Sequence, residues 1–236
     1  MAAVVSGLGW VMGVRTLEGW SRRLKPRSGR GGKPLPRLWL VSDPVRLPDP
    51  RAAAGRLPRG AGVLARGAAP GVLAGLARLC RRRGLVLLVG GDGRAALRHR
   101  AGLHVPDRAA ARGLLPFLRA RRAGAGFALL SVAVHGRAGQ ARGRRLRADF
   151  GFVSPAFPTA SHPGGAALGP LRWARLAAVS GRPAVALGGI GPMTAGRLGR
   201  RPAGLAAIGA LGWAPDRATG GCGVSATLSQ RSLSVA

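Results

Sequence analysis

At 236 residues, 47% of them hydrophobic, the chain is long enough for one domain with a full apolar core. Its 38 Lys and Arg stand against 7 Asp and Glu, for a net charge of +31, with 40 Gly, no Tyr and Glu18 as the one Glu. The cations are almost all Arg, spread along the whole chain and inflated together with Ala and Gly. No helix-turn-helix, zinc-finger or aromatic RNA-binding signature accompanies them, so specific nucleic-acid binding is not expected, only non-specific attraction to polyanions at low salt.

The opening MAAVVSGLGWVMGV is apolar, but it is shorter than the about 20 residues a membrane span needs and lacks the basic start of a secretory signal. No membrane association is expected, and the chain reads as cytoplasmic. Residues 15–36 mix basic residues, Gly, Ser and Pro without a sustained apolar period, the composition of a linker. Residues 1–36 are therefore expected as a disordered N-terminal extension, residues 37–213 as the folded domain, and residues 214–236 as a flexible tail. Within the domain eight short apolar runs recur, at 38–42, 61–65, 85–90, 101–105, 127–134, 150–154, 184–189 and 205–210. They are continuously apolar rather than alternating, as expected of parallel strands buried on both faces.

The stretches between them have a helical period. Val72, Leu73, Leu76, Leu79 and Cys80 share one helix face, with Gly84 placed as a C-terminal cap. A buried thiol is the ordinary reading of Cys80; with Cys222 it makes too few cysteines for a disulfide framework or a zinc site. Gly169-Pro170 opens a later helix expected to carry Leu171, Ala174 and Ala177 on its inner side. Strands alternating with helices mean a parallel sheet with right-handed crossovers. Repeated this often in a chain this short, they predict a compact (β/α)8 TIM barrel. An open doubly wound sheet is the alternative, disfavoured because no G-x-G-x-x-G follows the first run.

In such a barrel the site lies at the carboxyl ends of the strands. The residues there are Ser42-Asp43, Arg66, Asp92, His104, His135, the loop Ser154–His162, Gly188-Gly189 and Gly209. The glycines after the seventh and eighth runs suit phosphate, which approaches bare backbone N–H groups, or they serve turns alone. Thr159 and Ser161 add hydroxyls. Asp43 and Asp92 suit helix caps as well as ligands, His104 suits a structural role, and Asp149 reads as a turn residue.

Phe157-Pro158-Thr159-Ala160-Ser161-His162 resembles the P-T-x-T-K loop of the thiamine-phosphate synthase and thiazole tautomerase (TenI) family. Val185–Ile190 resembles its A-I-G-G-I segment, Ala101–Val105 its A-D-G-V-H-L, Ser131–His135 its S-x-H strand and Leu38–Asp43 its opening strand. The resemblance implies a transferase that couples hydroxymethylpyrimidine diphosphate to a thiazole phosphate, with Mg²⁺ holding the departing diphosphate. It assigns Arg66 and His135 to catalysis, Thr159, Ser161, His162, Gly188, Gly189 and Gly209 to substrate phosphate, and Asp92 to the metal, with Asp107 as a weaker second ligand. Departures are plain. The Gln and Lys of the family's Q-L-R-x-K are Leu64 and Ala68, the second metal carboxylate is replaced by Ala109, and the lysine of P-T-x-T-K by His162. The TenI-type alternative needs less of that machinery: it moves a proton on a thiazole carboxylate phosphate, with His135 as acid/base. A third reading is a phosphate-binding barrel without catalysis. Oligomeric state is left open.

Overall fold

The computed structural model describes residues 8–107, 110–159 and 164–212, with side chains from Thr16 onward. Eight parallel strands close into a barrel in sequence order, each paired with its neighbour and the last with the first. In chain order the elements are α1 (Leu8–Arg23), β1 (Leu38–Val41), α2 (Arg51–Ala54), β2 (Gly62–Ala65), α3 (Pro70–Arg83), β3 (Val86–Gly90), α4 (Gly93–Arg98), β4 (Gly102–Val105) and α5 (Leu114–Arg122). There follow β5 (Leu130–Val134), α6 (Arg137–Arg145), β6 (Phe150–Val153), α7 (Gly169–Val179), β7 (Ala184–Leu187), α8 (Pro192–Ala195), β8 (Gly204–Ala207) and α9 (Gly209–Gly212). All eight apolar runs are strands, and the parallel barrel expected from their alternation with helices is the fold.

The continuous apolarity of the strands follows from their two faces. Leu40, Val63, Leu87, Leu103, Val132, Val153, Ala186 and Leu205 pack under the helices, while Trp39, Leu64, Leu88, Phe150, Phe152, Val185 and Ala206 fill the interior. Trp39 packs against Phe150 and Phe152 at centroid distances of 5.2 and 5.4 Å. So large an indole needs space beside it. Gly62 is its register partner on β2, and a Cβ there would come within 2.2 Å of the ring.

Gly84 takes φ 64° and closes α3, and Leu73, Leu76 and Cys80 are buried beneath that helix as the period predicts. Burial pushes the Cys80 thiol up to about 12. On α7 the expected face is rotated. Leu171 is 77% exposed, and Trp173 is the fully buried residue, its Nε1 donating to the Val153 carbonyl at 3.1 Å. The earlier reading counted aliphatic spacing and passed over the one aromatic.

The segment 15–36 is also not the expected linker. Leu17, Ser21 and Leu24 recur at i, i+4 and i+7 and are all buried, a narrow apolar stripe that Arg and Gly mask in composition. α1 lies against α8, α9, β1 and β8. The chain then crosses the amino ends of the strands, where Leu35 is buried with the interior cluster and the Arg30 N–H donates to Asp149 Oδ1 at 2.7 Å. Asp149, expected as a turn residue, is a buried anchor. It also accepts from the Leu130 N–H at 2.7 Å and from Arg121 Nη2 at 3.0 Å. No helix among the described residues is long and apolar enough to cross a membrane. Trp213 and the tail after it lie outside the described residues.

Candidate active site

At the carboxyl ends of the strands, three backbone ties position the loops. The Ser42 hydroxyl, fully buried after β1, accepts from the Arg66 N–H at 2.7 Å and donates to the Arg66 carbonyl at 3.1 Å, fixing the backbone from which the exposed Arg66 side chain leaves. The Ala156 N–H donates to the Leu187 carbonyl at 2.8 Å and the Phe157 N–H to the Gly188 carbonyl at 3.0 Å, which stitches the loop after β6 to the loop after β7. The Leu168 N–H donates back to the Pro155 carbonyl at 3.0 Å and closes the base of the β6 loop.

This stitching explains the glycine pair. Gly188 and Gly189 hold φ 90° and 63°, and Cβ atoms there would come within 2.9 Å of Pro155 Cα and 2.4 Å of the Pro158 carbonyl. Turn geometry and close packing thus require glycine at both positions. Gly209 differs, since a Cβ there meets open space. Thr159 is half-buried beside Pro158. Ser161 and His162 lie outside the described residues.

Two histidines occupy different environments in the same mouth. His104 is buried on the inner face of β4, its Nδ1 3.0 Å from the Ser131 hydroxyl and its ring edge-on to Phe152. Burial first, then the positive charges of Arg66, His135 and Arg142, pull its pKa down to about 3. It is a neutral structural side chain that feels the positive charges of Arg66, His135 and Arg142. His135 is exposed just past β5, and its Nδ1 lies 2.9 Å from the Ser154 carbonyl. A carbonyl only accepts, so Nδ1 carries the hydrogen and Nε2 keeps the basic lone pair. The Ser154 hydroxyl, 3.3 Å from the same Nδ1, flanks the contact.

The carboxylates named as metal ligands are engaged otherwise. Asp92 is the N-cap of α4, its Oδ1 accepting from the Ala95 N–H at 2.9 Å, while its Oδ2 lies 3.7 Å from Arg112. Asp107 is paired with Arg142, whose guanidinium also donates to the Pro106 and Asp107 carbonyls. Arg142 reaches over from α6 and pins the loop after β4. Asp43 closes a local turn: burial works against its charge, but the Arg46 and Val45 N–H groups and the Arg46 guanidinium outweigh this and hold the carboxyl below its usual range. Among the described residues no group of three or more His, Cys, Asp or Glu could hold a metal ion. A magnesium ion takes one or two free carboxylate oxygens besides waters and substrate phosphate. Asp92 uses Oδ1 as a helix cap and keeps Oδ2 near the exposed Arg112, whereas Asp107 is committed to Arg142, so Asp92 is the better placed of the two for an ion.

Arg66, His104 and His135 lie at the carboxyl end of the barrel, close enough for Arg66 and His135 to act on His104, and Arg142, which the sequence reading missed, acts on it too. Nothing in the sequence distinguishes Arg142 from Arg137, Arg144, Arg145 and Arg147 around it; only the fold turns it over the β4 loop.

The family model described as thiamine monophosphate synthase (TMP-TENI) matches residues 71–211. No curated protein gives a significant match. Among solved structures, a thiamine phosphate pyrophosphorylase from Pyrococcus furiosus superposes with a TM-score of 0.60 at 20% identity, over 75% of this chain and 88% of that one. A citrate synthase, SbnG, gives 0.48 at 14% identity, over 74% and 86%. The matched segment runs from α3 into α9 and takes in Asp92, His104, His135 and the glycine pair, and on that ground the chain belongs to the thiamine monophosphate synthase family.

Proposed function

We propose that this member of a thiamine-biosynthesis family handles a thiazole phosphate and moves a proton on it with His135, without a magnesium-held diphosphate. The observation that carries the reading is the 2.9 Å contact from His135 Nδ1 to the Ser154 carbonyl. It fixes one tautomer and leaves Nε2 to take a proton from a carbon acid and return it. Arg66, at the end of β2, would supply positive charge for the enolate-like charge that develops when the proton leaves. The phosphate is assigned to Thr159, Ser161, His162 and the backbone of Gly188, Gly189 and Gly209. Coupling to hydroxymethylpyrimidine diphosphate is the second reading. It requires Asp92 to offer Mg²⁺ the oxygen not used in its cap, and Asp107 to leave Arg142 if it is to join.

The test is proton exchange into a thiazole carboxylate phosphate in D₂O, followed by NMR with and without Mg²⁺, beside a coupled assay with the pyrimidine diphosphate. Exchange independent of Mg²⁺ and reduced about 10²–10⁴-fold in His135→Asn is the expected result. Magnesium-dependent coupling with no exchange would establish the second reading instead.

A further inference from the structure

The end of the barrel opposite His135 carries a second concentration of charge. The loops entering β5 and β6, the ends of α5 and α6 and the segment crossing from α1 to β1 enclose a cleft of about 500 Å³ lined by Arg30, Leu118, Arg121, Arg122, Arg145, Leu146 and Arg147. Cations at the last turn of a helix ordinarily complement its dipole, and Arg122 and Arg145 fit that reading. Arg30 and Arg147 do not, because they come from loops. Arg147 takes φ 49°, a left-handed conformation that favours glycine, and a chain with 40 glycines has an arginine there.

The one carboxylate nearby is saturated. Asp149 is 2% exposed and already accepts from Arg121, the Leu130 N–H and the Arg30 N–H. Arg121, 7% exposed at its side chain, lines the cleft, and its Nη1 is buried without an acceptor among the described residues. Nη2 gives its hydrogens to Asp149 and to the Arg147 carbonyl at 3.1 Å. With one carboxylate already shared, a guanidinium that keeps an unmet N–H under a ring of like charges leaves this end of the barrel short of anionic acceptors.

We infer that this cleft is a second binding site, for a compact phosphate-bearing anion, with Arg121 as the buried donor and Arg30, Arg122, Arg145 and Arg147 around the rim. Phosphate oxygens match the planar fork of a guanidinium, and Arg121 lines the cleft beneath the exposed rim arginines, where a compact anion can be held on several sides. The site is separate from the His135 neighbourhood, so it stands whether or not the proton-transfer reading holds.

The experiment is calorimetric titration of the full chain with inorganic pyrophosphate in 0.15 M salt, with inorganic phosphate and a single-stranded oligonucleotide as parallel arms. Arg122→Gln/Arg145→Gln removes two exposed rim charges and leaves the Asp149–Arg121 pair in place. Pyrophosphate affinity should fall about tenfold or more in that variant and stay within about twofold in Arg78→Gln/Arg82→Gln, which removes the same charge from α3. Arg147→Gln gives the same test at a loop position should the double variant fold poorly. Equal losses in the rim and α3 variants, or no loss in either, would overturn the assignment. So would an oligonucleotide that depends on the rim while pyrophosphate does not.

Discussion

Replacing Asp149 with Asn tests how the barrel is tied to the segment that precedes it. The substitution keeps shape, so no cavity term enters, and it exchanges one carboxylate oxygen for an N–H₂ group. Oδ1 accepts from the Arg30 N–H and from Arg121, and Oδ2 from the Leu130 N–H. Whichever oxygen becomes nitrogen, a donor then faces a donor. The flip that spares Arg121 leaves the buried Leu130 N–H unmet, at about 1–3 kcal/mol. In either flip the buried guanidinium loses its counter-charge, and breaking a buried pair from one side costs about 3–5 kcal/mol. The two overlap, so a total near 3–5 kcal/mol is expected. For a chain of this size each kcal/mol shifts the melting temperature by about 2–4 °C, which gives a fall on the order of 6–20 °C. Urea unfolding monitored by tryptophan fluorescence measures it as a lower midpoint at unchanged slope. A loss below about 1 kcal/mol would refute the reasoning, since Arg121 would then be adequately solvated without Asp149.

Three further outcomes follow from the same geometry. The folded pKa of His104 lies near 3, below its unfolded value, so the unfolded state binds the extra proton between them. The stability this contributes is complete above about pH 6.5 and is lost as pH falls toward 3, at up to about 1.4 kcal/mol per unit; His104→Gln should flatten urea stability between pH 6.5 and 4.5, and parallel wild-type and variant slopes would contradict this. Gly189→Ala places a Cβ 2.4 Å from the Pro158 carbonyl at φ 63° and should destabilise by about 1–3 kcal/mol, whereas Gly209→Ala enters open space and should stay within about 0.5 kcal/mol in the same unfolding assay. With its pKa raised to about 12 by burial, Cys80 in a Cys222→Ser background should react with a thiol reagent only as fast as the protein opens; labelling faster than unfolding would show the α3 face to be loose.

The barrel was legible because burial on both faces of every strand leaves an unbroken apolar run, and arginine-rich helices cannot imitate that. What composition hid was local. Among the described side chains, Leu17 and Ser21 of α1 and Leu24 just past it make a narrow buried stripe, diluted by Arg22 and Arg23, and Trp173 outweighs the aliphatic spacing of α7. The site was partly legible. His135, His104 and Arg66 fall at strand ends whatever the details, but which nitrogen of His135 is basic depends on a carbonyl 19 residues away. Asp92 could not be divided between cap and ligand from its sequence position, because the same N-terminal placement serves both.

The shortage of acids ties these observations to the chemistry. Each acidic side chain among the described residues already has structural work: Glu18 pairs with Arg22, Asp43 closes a turn, Asp49 binds Arg51, Asp92 caps α4, Asp107 holds Arg142 and Asp149 anchors the amino ends of the strands. In a chain of net charge +31, a carboxylate moved to a metal would leave a guanidinium or a helix end without its counterpart. The proton transfer proposed for His135 calls on no carboxylate, only on a carbonyl that fixes the ring and a positive charge that stabilises the anion formed.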